Sequence, residues 1–333
     1  MRQELQTRRV MSRVCDQGGG GLRDREKNVQ ALVQYWGTIM ADPHRSVSDC
    51  TRYIESLGLC PRVRQALPLL VKEFLPKIVE QALEQLPTGA SPGLDGVPAG
   101  VYQLFPKIFS PRIFASMSTF LATGEVPRDW GRAAIRPVPK APGLVSVKDQ
   151  RPICLQNVRT KWLTTAVLIM VQDALNQVTP PQQKGFLKGR FMIDHLVSAR
   201  DLWVSNKEGI YVALDYSKAY DTVSHFFAES VFRYMNMPSS ITAVLLSLLK
   251  APLVFIVGGG VYMEHEVHPK LGIRQGDPLL PALFSLIAAL IIPDLDKLPF
   301  TVITLMYADD VLLFIAGTLR EATERLEVVI WHI

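Results

Sequence analysis

Two hydrophobic rhythms alternate along this chain. Apolar residues at helical spacing over 29–40 and 63–86 predict amphipathic helices, the second stopped by Pro87, which cannot continue a helix. The same spacing predicts helices over 162–175, 193–204 and 218–234, a strongly apolar one from about Pro281 to 292, and an amphipathic one over 318–330. Short apolar or β-branched runs predict strands at 133–138, at 210–214 and on both sides of a polar break within 303–316. Residues 255–270 read as a hairpin turning at Gly258-Gly259-Gly260. Gly and Pro mark the loops: 89–98 leads into a helix near Pro98, 183–190 is a basic loop ahead of the next helix, and Gly18–Gly21 is a flexible linker.

Chemistry enters at the break in ITLMYADDVLLFIA (303–316), which holds Asp309 and Asp310. Two like charges side by side between runs that bury themselves repel each other and lose hydration. Asp is common in exposed turns, but here Tyr307, Ala308 and Val311 surround the pair, without Gly, Asn or Pro. A cation offsets such a pair better than water, and hard Mg²⁺ combines carboxylate with phosphate oxygens. Asp215 follows the 210–214 strand and precedes a helix. That is a frequent ligand position in α/β folds, and equally an ordinary helix N-cap. The most basic stretch is 128–161. Arg132, Arg136, Lys140, Lys148, Arg151, Arg159 and Lys161 on one hairpin would make a phosphate-contacting surface, the alternative being a solvated charged face.

Composition narrows the classes. A chain of 333 residues with 48% hydrophobic content can bury a large core and favours about two domains. The net charge of +5 is compatible with a polyanionic partner. Cys15, Cys50, Cys60 and Cys154 are scattered without zinc or CxxC spacing, so reduced thiols and an intracellular setting are expected. The N-terminus has no apolar core of a secretory signal, and Lys250, Pro252 and three glycines interrupt the longest apolar tract, 243–261, which argues against a membrane span. GASPG matches a serine-nucleophile pattern only in form. The residue after the serine is Pro92, which has no N–H for an oxyanion. The Gly18–Gly21 run lacks the Lys-Ser/Thr of a phosphate loop. HEVH (265–268) is one residue short of the zinc pattern and falls on a strand, where residues three apart face opposite ways.

Taken in order, SPGLDG (91–96), IRPVPK (135–140), QRPICL (150–155), QKGFLKGR (183–190), LDYSKAYD (214–221), GIRQGDPLLP (272–281) and YADD (307–310) resemble the reverse transcriptase domain of non-LTR, LINE-type retrotransposons. Group II intron enzymes are more distant relatives. YADD alone is a weak signal; the ordered set, running from about Leu86 to the end, is very specific. The resemblance implies an α+β fold: a right-hand polymerase of fingers and palm, the antiparallel palm sheet packed on helices, with the thumb missing. It divides the chain into an N-terminal basic and helical extension (1–75), fingers (76–209) and palm (210–333), the palm carrying a fingers insertion near 238–270.

The activity implied is RNA-directed DNA polymerisation, in which two Mg²⁺ ions (or Mn²⁺ in their stead) assist dNTP addition to a DNA primer on an RNA template. Asp215, Asp309 and Asp310 are then the catalytic metal ligands. Lys140, Arg151, Lys218, Tyr220, Gln275 and Gly276 match dNTP-binding positions, Tyr220 being the bulky residue that excludes a 2′-hydroxyl. Arg136, Arg190 and Arg274 are the expected nucleic-acid contacts. Ala90 stands where the family has Lys, and Leu280 where it has Ser; neither removes a metal ligand, and both are expected to weaken activity. The missing thumb leaves a second reading, a truncated and inactive retroelement fragment that at most binds nucleic acid. The family suggests a nuclear or ribonucleoprotein setting and no membrane partner, and leaves the oligomeric state open.

Overall fold

The computed structural model describes residues 25–41, 47–58, 60–70, 73–144, 146–205, 208–257 and 260–332. The expected Gly18–Gly21 linker and the turn residues Gly258 and Gly259 lie outside them. The first half opens with helices α1 (Arg25–Ile39), α2 (Val47–Ser56), α3 (Cys60–Leu70), α4 (Pro76–Gln85), α5 (Ala99–Leu104), α6 (Pro106–Thr123) and α7 (Arg128–Gly131). The hairpin β1 (Ala133–Pro139) and β2 (Gln150–Gln156) follows, then the long helix α8 (Val158–Val178) and α9 (Met192–Val204). The second half runs β3 (Gly209–Leu214), α10 (His225–Tyr234), α11 (Ser239–Lys250), β4 (Leu253–Val257), β5 (Gly260–Val267), α12 (Leu280–Ala288), α13 (Ile292–Leu295), β6 (Val302–Tyr307), β7 (Asp310–Ala316) and α14 (Leu319–His332). The protein is thus mixed α+β.

Two expected helices are broken, each for a local reason. The continuous helix over 63–86 is α3 and α4. Pro76 occupies the first turn of α4, where its missing N–H costs nothing, and Leu75 before it is extended at φ −113°, ψ 153°. The helix expected over 218–234 begins only at His225. Lys218 is left-handed at φ 53°, Ala219–Thr222 form a 3-10 turn, and Ser224 caps α10 by accepting from the Phe227 N–H.

Two sheets carry the architecture. One has the order β2-β1-β4-β5, antiparallel except where Ala133, Ala134 and Ile135 pair in parallel with Leu253, Val254 and Phe255. Val29, Leu32 and Trp36, spaced three and four apart on α1, and Met40 just past its end bury against Ile135, Phe255 and Val267 of this sheet. The other, β3-β7-β6, is antiparallel throughout. Ile292 and Leu295 of α13 and Ala322 and Val329 of α14 share its core with Met306, Leu313 and Ile315. A third, largely helical core gathers around α8, where the fully buried Trp162 donates its indole N–H to the Val79 carbonyl at 2.6 Å. Ile54 of α2, Leu57 just after it, and Val63 and Leu70 of α3 are buried in that same core. The helices of 25–70 therefore join existing cores and build none of their own. α9 differs: it buries none of its residues, and Ile193, Leu196, Trp203 and Val204 are exposed. No helix among the described residues is long and apolar enough to cross a membrane.

Candidate active site

The polar break in 303–316 is a two-residue turn. Tyr307 and Asp310 form the last pair of the β6–β7 ladder, leaving Ala308 and Asp309 to reverse the chain. Ala308 adopts φ 56°, a left-handed conformation that costs an L-residue roughly 1–2 kcal/mol. One fully buried side chain surrounds it. Gln183 Oε1 accepts from the Ala308 N–H at 2.8 Å, and Gln183 Nε2 donates to the Ala308 carbonyl at 3.0 Å. The same Oε1 also accepts from Gly185 N–H at 2.9 Å. At about 1 kcal/mol net each, such bonds offset the cost of the turn. A β-carbon on Gly185 would lie 2.3 Å from the Ala308 nitrogen, so this loop can back the turn only with glycine there.

The neighbouring ladder brings in the distant carboxylate. β3 pairs with β7 to Leu214↔Val311, and one further step sets Asp215 level with Asp310. Asp215 and Asp309 open into one cavity of about 500 Å³, lined also by Lys140, Gln150, Arg151, Lys218, Tyr220, Asp221, Gln275 and Trp36. Burial raises the Asp309 carboxyl above its ordinary range, and the charges of Asp310 and Asp215 raise it further. Asp310 is exposed and does not line the cavity. The Tyr220 ring stacks on Phe284 with centroids 4.0 Å apart, and burial followed by the Asp309 charge pushes its hydroxyl pKa upward. The Lys218 ammonium sits 4.3 Å from the Trp36 ring centroid and 4.7 Å from that of Tyr35. Burial lowers its pKa, while Asp221 and Asp149 act in the opposite direction.

The loop before α12 explains how Gln275 reaches the cavity. Arg274 is buried and donates to the Gly131 carbonyl at 2.5 Å and the Ala251 carbonyl at 2.9 Å. Buried Asp277 accepts from the Leu279 and Leu280 N–H groups at 2.8 and 3.1 Å, capping α12. The residues between these anchors face outward. Gln275 Nε2 approaches Asp221 Oδ1 at 3.4 Å, and Gly276, at φ 109°, lies against the Cys154 carbonyl, which a β-carbon would meet at 2.9 Å. Gly276 itself does not line the cavity.

Two of the arginines expected to contact nucleic acid are committed internally. Arg274 ties α7 to the α11–β4 junction, as above. Arg190 is half-buried and donates to the carbonyls of Asn176, Thr179, Pro180 and Gln183, fixing the loop that holds Gln183. In both cases a guanidinium satisfies several buried carbonyls at once, which its fork of donors suits. Arg136 lies partly exposed on β1. Of the basic hairpin, Arg132 and Arg128 pair with Glu266, the latter at 2.6 Å, and Arg159 pairs with Asp129 at 2.7 Å over the Trp130 ring. Lys140, Lys148 and Arg151 are exposed.

Sequence reasoning missed Trp36, Gln150, Asp221 and Gln183. Asp221 and Gln183 lie inside recognised motifs, but nothing in their spacing marks a buried polar side chain. Trp36 comes from a helix distant in sequence.

The residues fit a divalent cation as an open site. Among the described residues no three His, Cys, Asp or Glu side chains form a ready-made cage. Asp215 and Asp309 nevertheless share a cavity, the Asp215 charge is one of the causes that raise the Asp309 carboxyl, Asp310 is adjacent, and Mg²⁺ characteristically takes one or two protein carboxylates and completes its shell with phosphate and water.

Comparison with known proteins identifies a family. The model of a family described as reverse transcriptase (RNA-dependent DNA polymerase) matches residues 138–331. The chain is 24% identical over 324 residues to the transposon TX1 uncharacterized 149 kDa protein of Xenopus laevis, covering 87% of this chain and 24% of that protein. It is 27% identical over 266 residues to the retrovirus-related Pol polyprotein from type-2 retrotransposable element R2DM of Drosophila melanogaster, covering 78% and 23%. It is 25% identical over 327 residues to a probable RNA-directed DNA polymerase from transposon BS of the same fly, covering 93% and 35%. The chain spans about a quarter to a third of the length of these relatives.

Proposed function

The chain belongs to the reverse transcriptase family, in the branch carried by non-LTR retrotransposons, and on that premise we propose that its cavity adds dNTPs to a DNA primer on an RNA template. The observation that carries this reading is the shared opening of Asp215, just past the end of β3, and Asp309, in the β6–β7 turn, beneath Lys140 and Arg151 of the β1–β2 hairpin. Bound Mg²⁺ would supply charge neutralisation at the attacking and leaving oxygens. Asp215 and Asp309 hold that charge, Asp310 adds to the negative field around it, and Lys140, Arg151 and Lys218 receive the triphosphate. Gln275 and the exposed Gly276 backbone edge offer contacts to the base pair being formed. Tyr220, held flat on Phe284, fills the space beside the sugar where a 2′-hydroxyl would project. Catalysis in such a site is mostly positioning and electrostatics.

Primer extension with Mg²⁺ and a DNA primer on an RNA template tests the reading. Wild type incorporates dNTP, and Asp309→Asn lowers the rate by about two to three orders of magnitude or more, because the lost charge acts in the transition state. Folded wild-type protein that binds RNA in a salt-dependent way without extending a primer would favour the non-catalytic alternative.

A further inference from the structure

We propose that Gln183 is the positioning residue of the catalytic turn: its side-chain amide holds Ala308 in the left-handed conformation that presents Asp309 to the cavity. Three observations converge on it. The amide bonds both the N–H and the carbonyl of the single strained residue of the turn, so it reads that residue's conformation from both sides. The segment carrying Gln183 is itself fastened to β6. Lys184 N–H donates to the Met306 carbonyl at 2.8 Å, Met306 N–H donates to the Gln182 carbonyl at 3.0 Å, and Gln183 bridges Met306 in parallel. The third is the set of Arg190 bonds to the carbonyls of Asn176, Thr179, Pro180 and Gln183, which clamps the base of the loop so that the amide cannot drift.

The alternative way to hold such a turn is glycine at its first position, which adopts this φ without strain. This chain has alanine there and a clamp instead. Gln183 touches no reacting atom; it acts through Ala308 on the carboxylate next in sequence. The proposal rests on the reading of Asp215 and Asp309 as cation ligands, and its test therefore includes a readout that does not require polymerisation.

Gln183→Met keeps the volume and removes all three bonds. Binding of Mn²⁺ to the protein alone, followed by electron paramagnetic resonance, is expected to weaken several-fold. Primer extension is expected to lose about 10–100-fold in kcat, the scale of misplaced catalytic groups, with the KM for dNTP changed less than about threefold. Adding Ala308→Gly to Gln183→Met is expected to restore most of both quantities, because glycine needs no clamp. A purely packing role would not be rescued by a substitution that removes a methyl group from a turn. Gln183→Asn, which keeps an amide but withdraws it by one methylene, carries the same expectation if the methionine variant does not fold. The proposal is overturned if the Gln183 variants bind Mn²⁺ like wild type, or if Ala308→Gly fails to recover their loss. Should wild type bind Mn²⁺ through Asp309 but extend no primer, the polymerase reading fails while the clamp remains testable by Mn²⁺ binding.

Discussion

Asp221 is 4% exposed between Lys218 and Gln275, and burial lifts its carboxyl pKa from 3.8 to about 6 against the pull of Lys218, the Gln275 hydrogen bond and Lys140. Between those two values the unfolded chain has released a proton that the folded chain retains, so folding is favoured by acid. The contribution is complete below the unfolded value and is lost as pH rises through about 6. Asp221→Asn mimics the protonated form at every pH. Its stability relative to wild type is expected to climb between pH 4 and 7 by up to ~3 kcal/mol, measured by urea unfolding across that range. A difference between the two proteins that does not change with pH would disprove the assignment. The residue also illustrates what single positions conceal. Asp309 and Asp310 were legible because adjacent charges inside an apolar run are conspicuous. Asp221 was not, because an aspartate within an expected helix over 218–234 reads as a solvated side chain until its burial is known. Arg190 and Arg274, the two expected nucleic-acid contacts that are tied internally, share the converse problem. A basic side chain in a Gly-containing loop reads as a surface group, and only the carbonyls around it reveal an internal tie.

Among the elements, hairpins and strands were the readable part. The ends of β1, β3 and the β6–β7 pair fall within a residue or two of the apolar runs, since a strand of five to seven residues is specified by its own side chains. Helices that depend on neighbours were harder. Ser239–Lys250 was hidden in a tract judged only for membrane length, and the 3-10 turn at Ala219–Thr222 exists because Ile273 N–H donates to Tyr220 carbonyl and Gly272 N–H to Val223 carbonyl, contacts no local pattern encodes. The loop before α12 gives a prediction at this scale. Arg274→Ala leaves the Gly131 and Ala251 carbonyls buried without donors and is expected to cost about 2–5 kcal/mol in urea unfolding. The salt dependence of RNA binding should stay as in wild type. A shallower salt slope with unchanged stability would return Arg274 to the nucleic-acid surface.

For the whole molecule, the useful positive charge is much smaller than the count of basic residues suggests. Glu266 takes up Arg128 and Arg132, and Asp129 takes up Arg159. Lys140, Lys148 and Arg151 remain exposed on the β1–β2 hairpin. Lys148→Ala is expected to reduce the slope of log affinity against log salt by about one for a primer–template, without altering dNTP selection. An unchanged slope would mean that the nucleic acid passes elsewhere. The parallel pairing of β1 with β4 bears on how the protein comes into being. β1 and β2 are synthesised together and can zip at once, whereas the strand that covers the other margin of β1 is made much later. A nascent chain therefore carries a hairpin with a bare edge for as long as translation takes to reach residue 253, and any product halted before that point would display an edge ready to join its like.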